Sequence, residues 1–293
     1  MNRFNWLVRR EVWETRAIWI APAICLAVMV LSAALGGMQL GFENGDMPTM
    51  DAAKAARLAM LIVVAISMPF VVTMGFTSFF YTLDSLYSDR RDRSVLFWKS
   101  LPISDAETVL SKLVVVSLVI PAVALAAAVL GQLLVGGIIA AKFGGPIGAA
   151  IWSGRTWFVG LGAALWLTIV SILWFLPVTS WLLLVSAWAP RSPFLWAVAP
   201  PLAVALAERV ALGTTVVWHV MASRTFGIFE VAFKGAFDDT SAGPDTTIRL
   251  SKIQFELMPG QFLGNPQVWL GVVIAAVLVF AAIWVRRYRD ESI

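Results

Sequence analysis

The chain has 293 residues, of which 59% are hydrophobic and only 14% charged, and its mean hydropathy is +0.82. Soluble domains carry about 25% charged residues, so this composition excludes an ordinary soluble protein and indicates a polytopic membrane protein. The net charge of +4 comes from basic residues beside apolar runs, a pattern typical of membrane orientation that disfavours nucleic-acid binding.

Residues 1–16 are basic and aromatic and precede the first apolar run. Trp6 and Trp13 are seven positions apart and share one side of a helix, while Arg9 and Arg10 can lie at the level of the lipid headgroups. The pattern predicts an interfacial helix on the cytoplasmic surface, with an ordinary basic flank of a span as the alternative. A cleaved signal peptide is disfavoured, because the apolar core that follows is too long.

Six apolar runs predict an all-α polytopic membrane protein, with one transmembrane domain over residues 1–293. About 20 apolar residues suffice for a helix to cross a bilayer. The predicted spans are residues 17–40, 58–83, 113–140, 157–182, 194–220 and 267–285. Lys and Arg are more numerous in the segments on the side that holds both termini, so we expect both termini in the cytoplasm.

Residues 84–112 form a polar interruption with a dense basic cluster, which predicts a cytoplasmic loop. Part of this loop is amphipathic and predicts a short surface helix, which Pro102 ends. The side chains that we expect to contact a cytoplasmic partner are Arg90, Arg91, Arg93, Val95, Phe97, Trp98 and Lys99. Ser104 and Glu107 have capping-box spacing and predict a new helix from about Asp105.

Residues 221–266 form the longest polar segment, which is predicted to lie outside. Within it Phe226, Phe229, Phe233 and Phe237 recur at helical spacing and predict a short helix with one aromatic side. Packing against neighbouring helices is favoured over a ligand site for this side.

Glu208 and Arg209 are predicted near the middle of the fifth span. Charged residues at mid-membrane are costly and usually face a cavity or a partner. Adjacent helical residues point about 100° apart, so each of the two needs a partner on another helix. A structural pair that locks helices or a dimer is favoured over the lining of a translocation path.

The motifs of several common chemistries are absent from the sequence. There is no GxxxxGK[ST], HExxH or GxSxG segment, His219 is the only histidine, and the single cysteine, Cys25, excludes an intrachain disulfide. We therefore expect that the chain is not catalytic by itself and binds no metal or cofactor of its own.

The loop and the overall layout resemble the membrane subunits of type 2 ABC exporters, the ABC-2 permease family. The resemblance rests on the basic N-terminal helix, the six spans, an outer segment with short helices between spans five and six, and the loop sequences LYSDRRDRS (86–94) and LPIS (101–104). In such permeases the short loop helix is the coupling helix, seated in a groove of the ATPase subunit. Residues 90–100 match its position, and Asp89 stands where a Glu is more usual.

The resemblance implies the permease subunit of an ATP-driven exporter in the cytoplasmic (inner) membrane. Two such subunits, expected to form a homodimer, would pair with two separate ATPase subunits that carry ATP and Mg²⁺. Two other classes remain open: a scaffold or regulatory membrane subunit of a larger complex, and a membrane-embedded enzyme, for which the sequence displays no catalytic residues.

Overall fold

The computed structural model describes residues 3–36, 51–92, 103–228, 232–234, 256–257 and 259–289. Within these residues the chain is almost entirely helical. The helices are α1 (Arg3–Glu14), α2 (Ala17–Leu35), α3 (Ala52–Arg91), α4 (Asp105–Val114), α5 (Ile120–Phe143), α6 (Gly145–Ile151), α7 (Gly154–Trp188), α8 (Pro193–Leu212), α9 (Val216–Phe226), α10 (Pro259–Leu263) and α11 (Pro266–Arg289). The strands β1 (Phe233–Lys234) and β2 (Glu256–Leu257) form one short antiparallel pair.

Six helical stretches in the described part of the chain are long and apolar enough to cross a membrane. They are α2, α3, the continuous helix Asp105–Phe143, α7, α8 and α11. Their surfaces expose large apolar side chains along much of their length, as lipid-facing helices do and as helices of soluble proteins do not. This confirms the predicted helical fold with six membrane-crossing stretches, and the chain is a multi-pass membrane protein.

Helix α3 is longer than the predicted second span. Its 40 residues extend over about 60 Å, twice the roughly 30 Å thickness of a bilayer core. The sequence predicted a loop from residue 84, but the helix continues to Arg91, so that prediction was wrong for these eight residues. The reason is packing, since Leu83 and Leu86 are buried against the end of α7.

The restart of the helix after Pro102 is confirmed. The Ser104 hydroxyl accepts a hydrogen bond from the Glu107 amide, and the Glu107 carboxylate accepts one from the Ser104 amide. This reciprocal pair is the capping box that the spacing predicted, and α4 begins at Asp105.

A π-helical turn, Val115–Val119, joins α4 to α5 inside the third span. One extra residue in a turn rotates the following side chains by about 100° relative to an uninterrupted helix. Pro121 is the second residue after the turn and has no amide hydrogen to donate. The third span is therefore irregular where α4 meets the membrane-embedded α5.

The bundle centre lies where α3, α5 and α7 touch. Gln132 is fully buried there, and its Nε2 donates to the Ser67 hydroxyl at 2.8 Å and to the Gly160 carbonyl at 3.2 Å. Gly160 lets α7 approach α3 so closely that a β-carbon at this position would collide with Val63. A single polar side chain thus ties the three central helices together.

The fifth span is shorter than predicted. Helix α8 ends at Leu212, Gly213 adopts a left-handed conformation with φ of 67°, and α9 begins at Val216. The prediction of one span over residues 194–220 was therefore wrong beyond Leu212. Only glycine adopts such a backbone angle without steric cost, and Gly213 provides the break between the two helices.

The aromatic stripe of the outer segment does not form one helix. Phe226 ends α9, whereas Phe233 lies in strand β1. Phe229 and Phe237 lie outside the described residues, as does much of the segment around them. A further short helix, α6, lies between α5 and α7.

Candidate functional site: a charged junction of four helices

Four helices meet through charged side chains near the end of α3 and along α4, the two helices that flank residues 93–102 in the sequence. The group, here called the charged junction, joins α1, the end of α3, α4 and the end of α11. Its members are Glu11, Tyr81, Asp89, Asp105, Lys112 and Arg286. These side chains come from positions up to 275 residues apart, from Glu11 to Arg286.

Lys112 is the inner cation of the junction. Its Nζ lies 2.9 Å from Glu11 Oε1 and 3.4 Å from Asp89 Oδ2, and its side chain is only 2% exposed. Tyr81 donates its hydroxyl hydrogen to the second Glu11 oxygen at 3.1 Å. Lys112 therefore connects α4 to α1 and to α3 at the same time.

Arg286 is the second buried cation and comes from the last turns of α11. Its NH1 lies 3.4 Å from Asp89 Oδ2, and its Nε donates to Asp105 Oδ1 at 3.2 Å. Asp89 is thus shared between Lys112 and Arg286. The two acids that Arg286 binds stand on either side of the polar segment, one before it and one after it.

The junction is electrically balanced where it is most buried. Glu11 and Asp89 carry two negative charges, and Lys112 and Arg286 carry two positive charges. Buried ions are tolerated only when they are paired and hydrogen-bonded, and removing one partner costs about 3 to 5 kcal/mol. Such an arrangement holds the four helices in one specific register.

Glu11 is held ionised by its neighbours. Burial alone raises the pKa of Glu11, but the adjacent Lys112 and Arg10 lower it more, so the pKa lies below the ordinary value of 4.5. Arg10 NH2 lies 2.7 Å from Glu11 Oε1, and Arg10 Nε lies 3.4 Å from Glu14. At neutral pH the carboxylate is an anion between two cations.

Helix α1 has two different faces. Leu7 and Glu11 are buried against the bundle, whereas Trp6 is 48% exposed and Trp13 is 70% exposed. The Arg9 guanidinium lies 4.8 Å from the centre of the Trp13 ring. The structure thus brings Arg10 into contact with the junction and leaves Trp6, Arg9 and Trp13 on the outer face; their position at a lipid interface stays a prediction.

Of the residues that the sequence predicts to contact a cytoplasmic partner, the structure describes only Arg90 and Arg91. Arg90 NH2 donates to the carbonyls of Ser186 and Ala189 at 2.7 and 2.9 Å, which satisfies the end of α7. Arg91 is exposed and pairs with Asp92 at 3.0 Å. Contact of either arginine with a partner stays a prediction. Arg93, Val95, Phe97, Trp98 and Lys99 lie outside the described residues.

Glu208 and Arg209 are not near the middle of a span. They lie in the last turns of α8, and that part of the prediction was wrong because the helix ends four residues after Glu208. The Glu208 carboxylate accepts hydrogen bonds from the Thr214 hydroxyl and from the amides of Val216 and Val217. It thereby caps the start of α9, while Arg209 is exposed and forms no ion pair within the described residues.

Among the residues that the structure describes, no three His, Cys, Asp or Glu side chains are grouped to hold a metal ion. Comparison of the chain with protein-family models finds no match. Searches of curated proteins and of solved structures likewise find nothing similar. The class that the fold itself defines is a multi-pass helical membrane protein.

Sequence reasoning missed most of the charged junction. The sequence predicts a basic flank at residues 1–16 and a basic loop that ends at residue 112, but it does not predict that Glu11 and Lys112 form an ion pair. A signal was present in α4, where Lys112 follows Asp105 by seven positions and both share a helix side. Their partners on α1, α3 and α11 are far away in sequence, and no spacing rule connects them.

Proposed function

We propose that this chain is the membrane-spanning subunit of an ATP-driven exporter of the ABC-2 permease class. A separate ATPase subunit docks on the polar segment between α3 and α4 and supplies ATP and Mg²⁺ binding. The observation that carries the proposal is the position of the charged junction. Asp89 precedes the segment, Asp105 follows it, and Arg286 of α11 binds both.

This geometry supports transmission of a force from the segment to the spans. Displacement of the segment moves Asp89 and Asp105, and through them α11. The Lys112 contacts carry the same displacement to α1 by way of Glu11. The π-turn Val115–Val119 then lies between the junction and the membrane-embedded α5, and such turns are frequent at functional positions.

The mechanism is a population shift between two arrangements of the spans. A ligand moves such an equilibrium only by its difference in affinity for the two states. In this proposal ATP binding closes the ATPase subunits, and the closed pair fits one arrangement of the polar segments better than the other. The chain is not catalytic by itself, because hydrolysis takes place in the partner.

The assembly proposed here contains two copies of the chain and two ATPase subunits in the cytoplasmic membrane. The proposal puts both termini in the cytoplasm, because α1 and the end of α11 contact Lys112 and Asp105, which follow the basic segment in the sequence. Helix α8 is mostly exposed along its apolar surface and is available to lipid or to a second copy.

The test is purification of the tagged full-length protein from its native membrane in mild detergent, followed by mass identification of bound proteins. We expect a P-loop ATPase in a one-to-one ratio. Replacement of residues 95–98 by four alanines abolishes its binding, as does charge reversal at Arg91 and Arg93. The matched control is Arg191→Glu, which reverses an exposed basic residue in the turn between α7 and α8.

Two results contradict the proposal. One is the absence of an ATPase from both the unchanged protein and the control. The other is an ATPase that remains bound, with unchanged hydrolysis, after the segment is replaced. Stable co-purification of other membrane proteins without an ATPase favours the scaffold class instead.

A further inference from the structure

A cavity of about 560 Å³ lies between the spans, separate from the charged junction. Its walls come from α3, the π-turn and start of α5, α7, the first turn of α8 and the end of α9. Ligand pockets in proteins enclose about 300 to 1,000 Å³, so the cavity is large enough for a substantial molecule. Four of its lining side chains, Val72, Phe76, Phe80 and Phe194, are each more than half exposed, so the cavity opens onto the outer surface of the helix bundle and these four form its rim.

None of the described residues that line the cavity is charged, and the polar groups of their side chains are all hydroxyls. Three of these already donate to carbonyls of their own helices: Ser171 to Leu167, Thr179 to Leu176 and Thr225 to Met221. A charged ligand would lose its hydration here without gaining a partner. The wall chemistry therefore excludes an ionic occupant from the interior of the cavity and favours a hydrocarbon chain.

Two hydroxyls differ from the other three. Ser78 on α3 and Ser117 in the π-turn line the cavity, and within the described residues neither hydroxyl has a hydrogen-bond partner. Ser78 is three residues from Tyr81 and Ser117 is five residues from Lys112. Both therefore lie at the end of the cavity that is nearest to the charged junction. This end offers two free donors, whereas at the end near Val71 and Ile172 the one neighbouring hydroxyl, that of Ser171, already donates its hydrogen to Leu167.

We propose that the cavity is a binding site for an acyl chain of a membrane phospholipid. The chain fills the apolar end, and the ester oxygens, which accept hydrogen bonds, meet Ser78 and Ser117. The apolar face of a second copy of the protein would bring no acceptors for these donors. The bilayer supplies such a lipid at high concentration through the exposed rim.

Gly75 gives a direct way to block the site. It lines the cavity, and a β-carbon built on it meets no atom within 4 Å. The side chain of Gly75→Leu therefore begins in open space and occupies part of the cavity. Gly154 at the start of α7 has equally open surroundings and lies away from the cavity, so Gly154→Leu is the matched control.

The experiment uses the full-length protein in phosphatidylglycerol vesicles that contain a trace of phospholipid with a diazirine at the end of one acyl chain. After illumination, labelled peptides are identified by mass spectrometry. We expect adducts concentrated around Val71 and Ile172, reduced severalfold by Gly75→Leu and unchanged by Gly154→Leu. Adducts spread evenly over the exposed faces of the spans, or unaffected by Gly75→Leu, would overturn the proposal.

Two further variants keep the test informative if Gly75→Leu does not fold. Replacement of both Ser78 and Ser117 by alanine is expected to reduce labelling by the phospholipid probe but not by a diazirine alkane without ester groups. Equal labelling by the phospholipid before and after this change contradicts the assigned orientation. In a Cys25→Ser background, Phe76→Cys is expected to give no disulfide between copies, and efficient cross-linking there identifies a second copy as the occupant and overturns the proposal.

This proposal stands independently of the ATPase partner. Lipid labelling is measured on the purified chain alone, whereas the proposed transport function is tested by ATPase binding. If the chain binds lipid in the cavity but no ATPase, only the proposed transport function is contradicted. If it binds an ATPase but no lipid in the cavity, only the lipid site is contradicted.

Discussion

The Nζ atom of Lys112 lies 2.9 Å from Oε1 of Glu11, across 101 residues of chain. Both side chains are almost completely buried. Because a lone buried charge is costly, each of these two residues depends on the other. The contact fixes the N-terminal helix to the base of the third span.

Lys112→Met should destabilise the protein by about 3 to 5 kcal/mol, because it leaves Glu11 and Asp89 with fewer cations in a buried setting. The free energy of unfolding in mild detergent measures this loss. The control is Arg209→Met, which removes an exposed cation and should have little effect. In a double-mutant cycle, Glu11→Gln together with Lys112→Met should cost less than the sum of the two single changes. Strict additivity would contradict the coupling.

Acid should weaken the attachment of α1. The pKa of Glu11 is lower in the folded protein than its ordinary value of 4.5, so the stabilisation is fully present above about pH 4.5. It is lost as the pH falls through the lowered pKa, when the carboxylate takes up a proton and its attraction to Lys112 and Arg10 ends. Limited proteolysis of the N-terminal helix as a function of pH measures this loss. In the Glu11→Gln variant, proteolysis of α1 should no longer increase as the pH falls. If it still increases as in the unchanged protein, another titrating group causes the acid sensitivity.

Asp89 should matter more for stability than Asp105, although both bind Arg286. Asp89 also contacts Lys112 and is 10% exposed, whereas the Asp105 side chain is 26% exposed. Asp89→Asn leaves two buried cations short of an anion, while Asp105→Asn removes one partly solvated contact, which is usually worth at most about 1 kcal/mol. Thermal unfolding of the two variants shows which substitution lowers the stability of the protein more. A larger loss for Asp105→Asn would contradict the central position of Asp89.

The sequence predicts local and compositional features of this protein well. Long apolar runs must form helices in a bilayer, because every backbone polar group needs an internal partner, and this requirement gives the six membrane-crossing stretches. The capping box at Ser104 and Glu107 is equally local, since both hydrogen bonds close within three residues. Such features need no knowledge of how the helices pack.

Contacts between distant helices are not predictable in this way. The end of α3 depends on burial of Leu83 and Leu86 by α7, and polarity alone predicted a loop there. Glu208 was assigned to mid-membrane because the apolar run continues past it, but Gly213 ends the helix and turns Glu208 into a cap for α9. The charged junction depends on which helix ends meet, which a single sequence does not specify.

Gly160→Ala should destabilise the centre of the bundle. A β-carbon at this position would collide with Val63 of α3, and overpacking of this kind costs about 1 to 3 kcal/mol. Gly154→Ala in the same helix meets open space, so it should be neutral or stabilising by up to about 1 kcal/mol. Thermal unfolding of the two variants in the same detergent makes the comparison. Equal effects would show that α3 and α7 do not approach each other closely at Val63.

Glu208→Ala should loosen α9 and leave the spans intact. The carboxylate accepts hydrogen bonds from the amides of Val216 and Val217 at 2.7 Å each, and these amides have no intrahelical acceptor at the start of a helix. Without the carboxylate, hydrogen exchange of residues 216–226 should become faster, while exchange in α5 and α7 stays unchanged. Arg209→Ala is the control, because its exposed side chain forms no ion pair among the described residues and should leave exchange in α9 unchanged. A loss of transport with unaltered exchange in α9 would instead support a direct role of Glu208 in the translocation path.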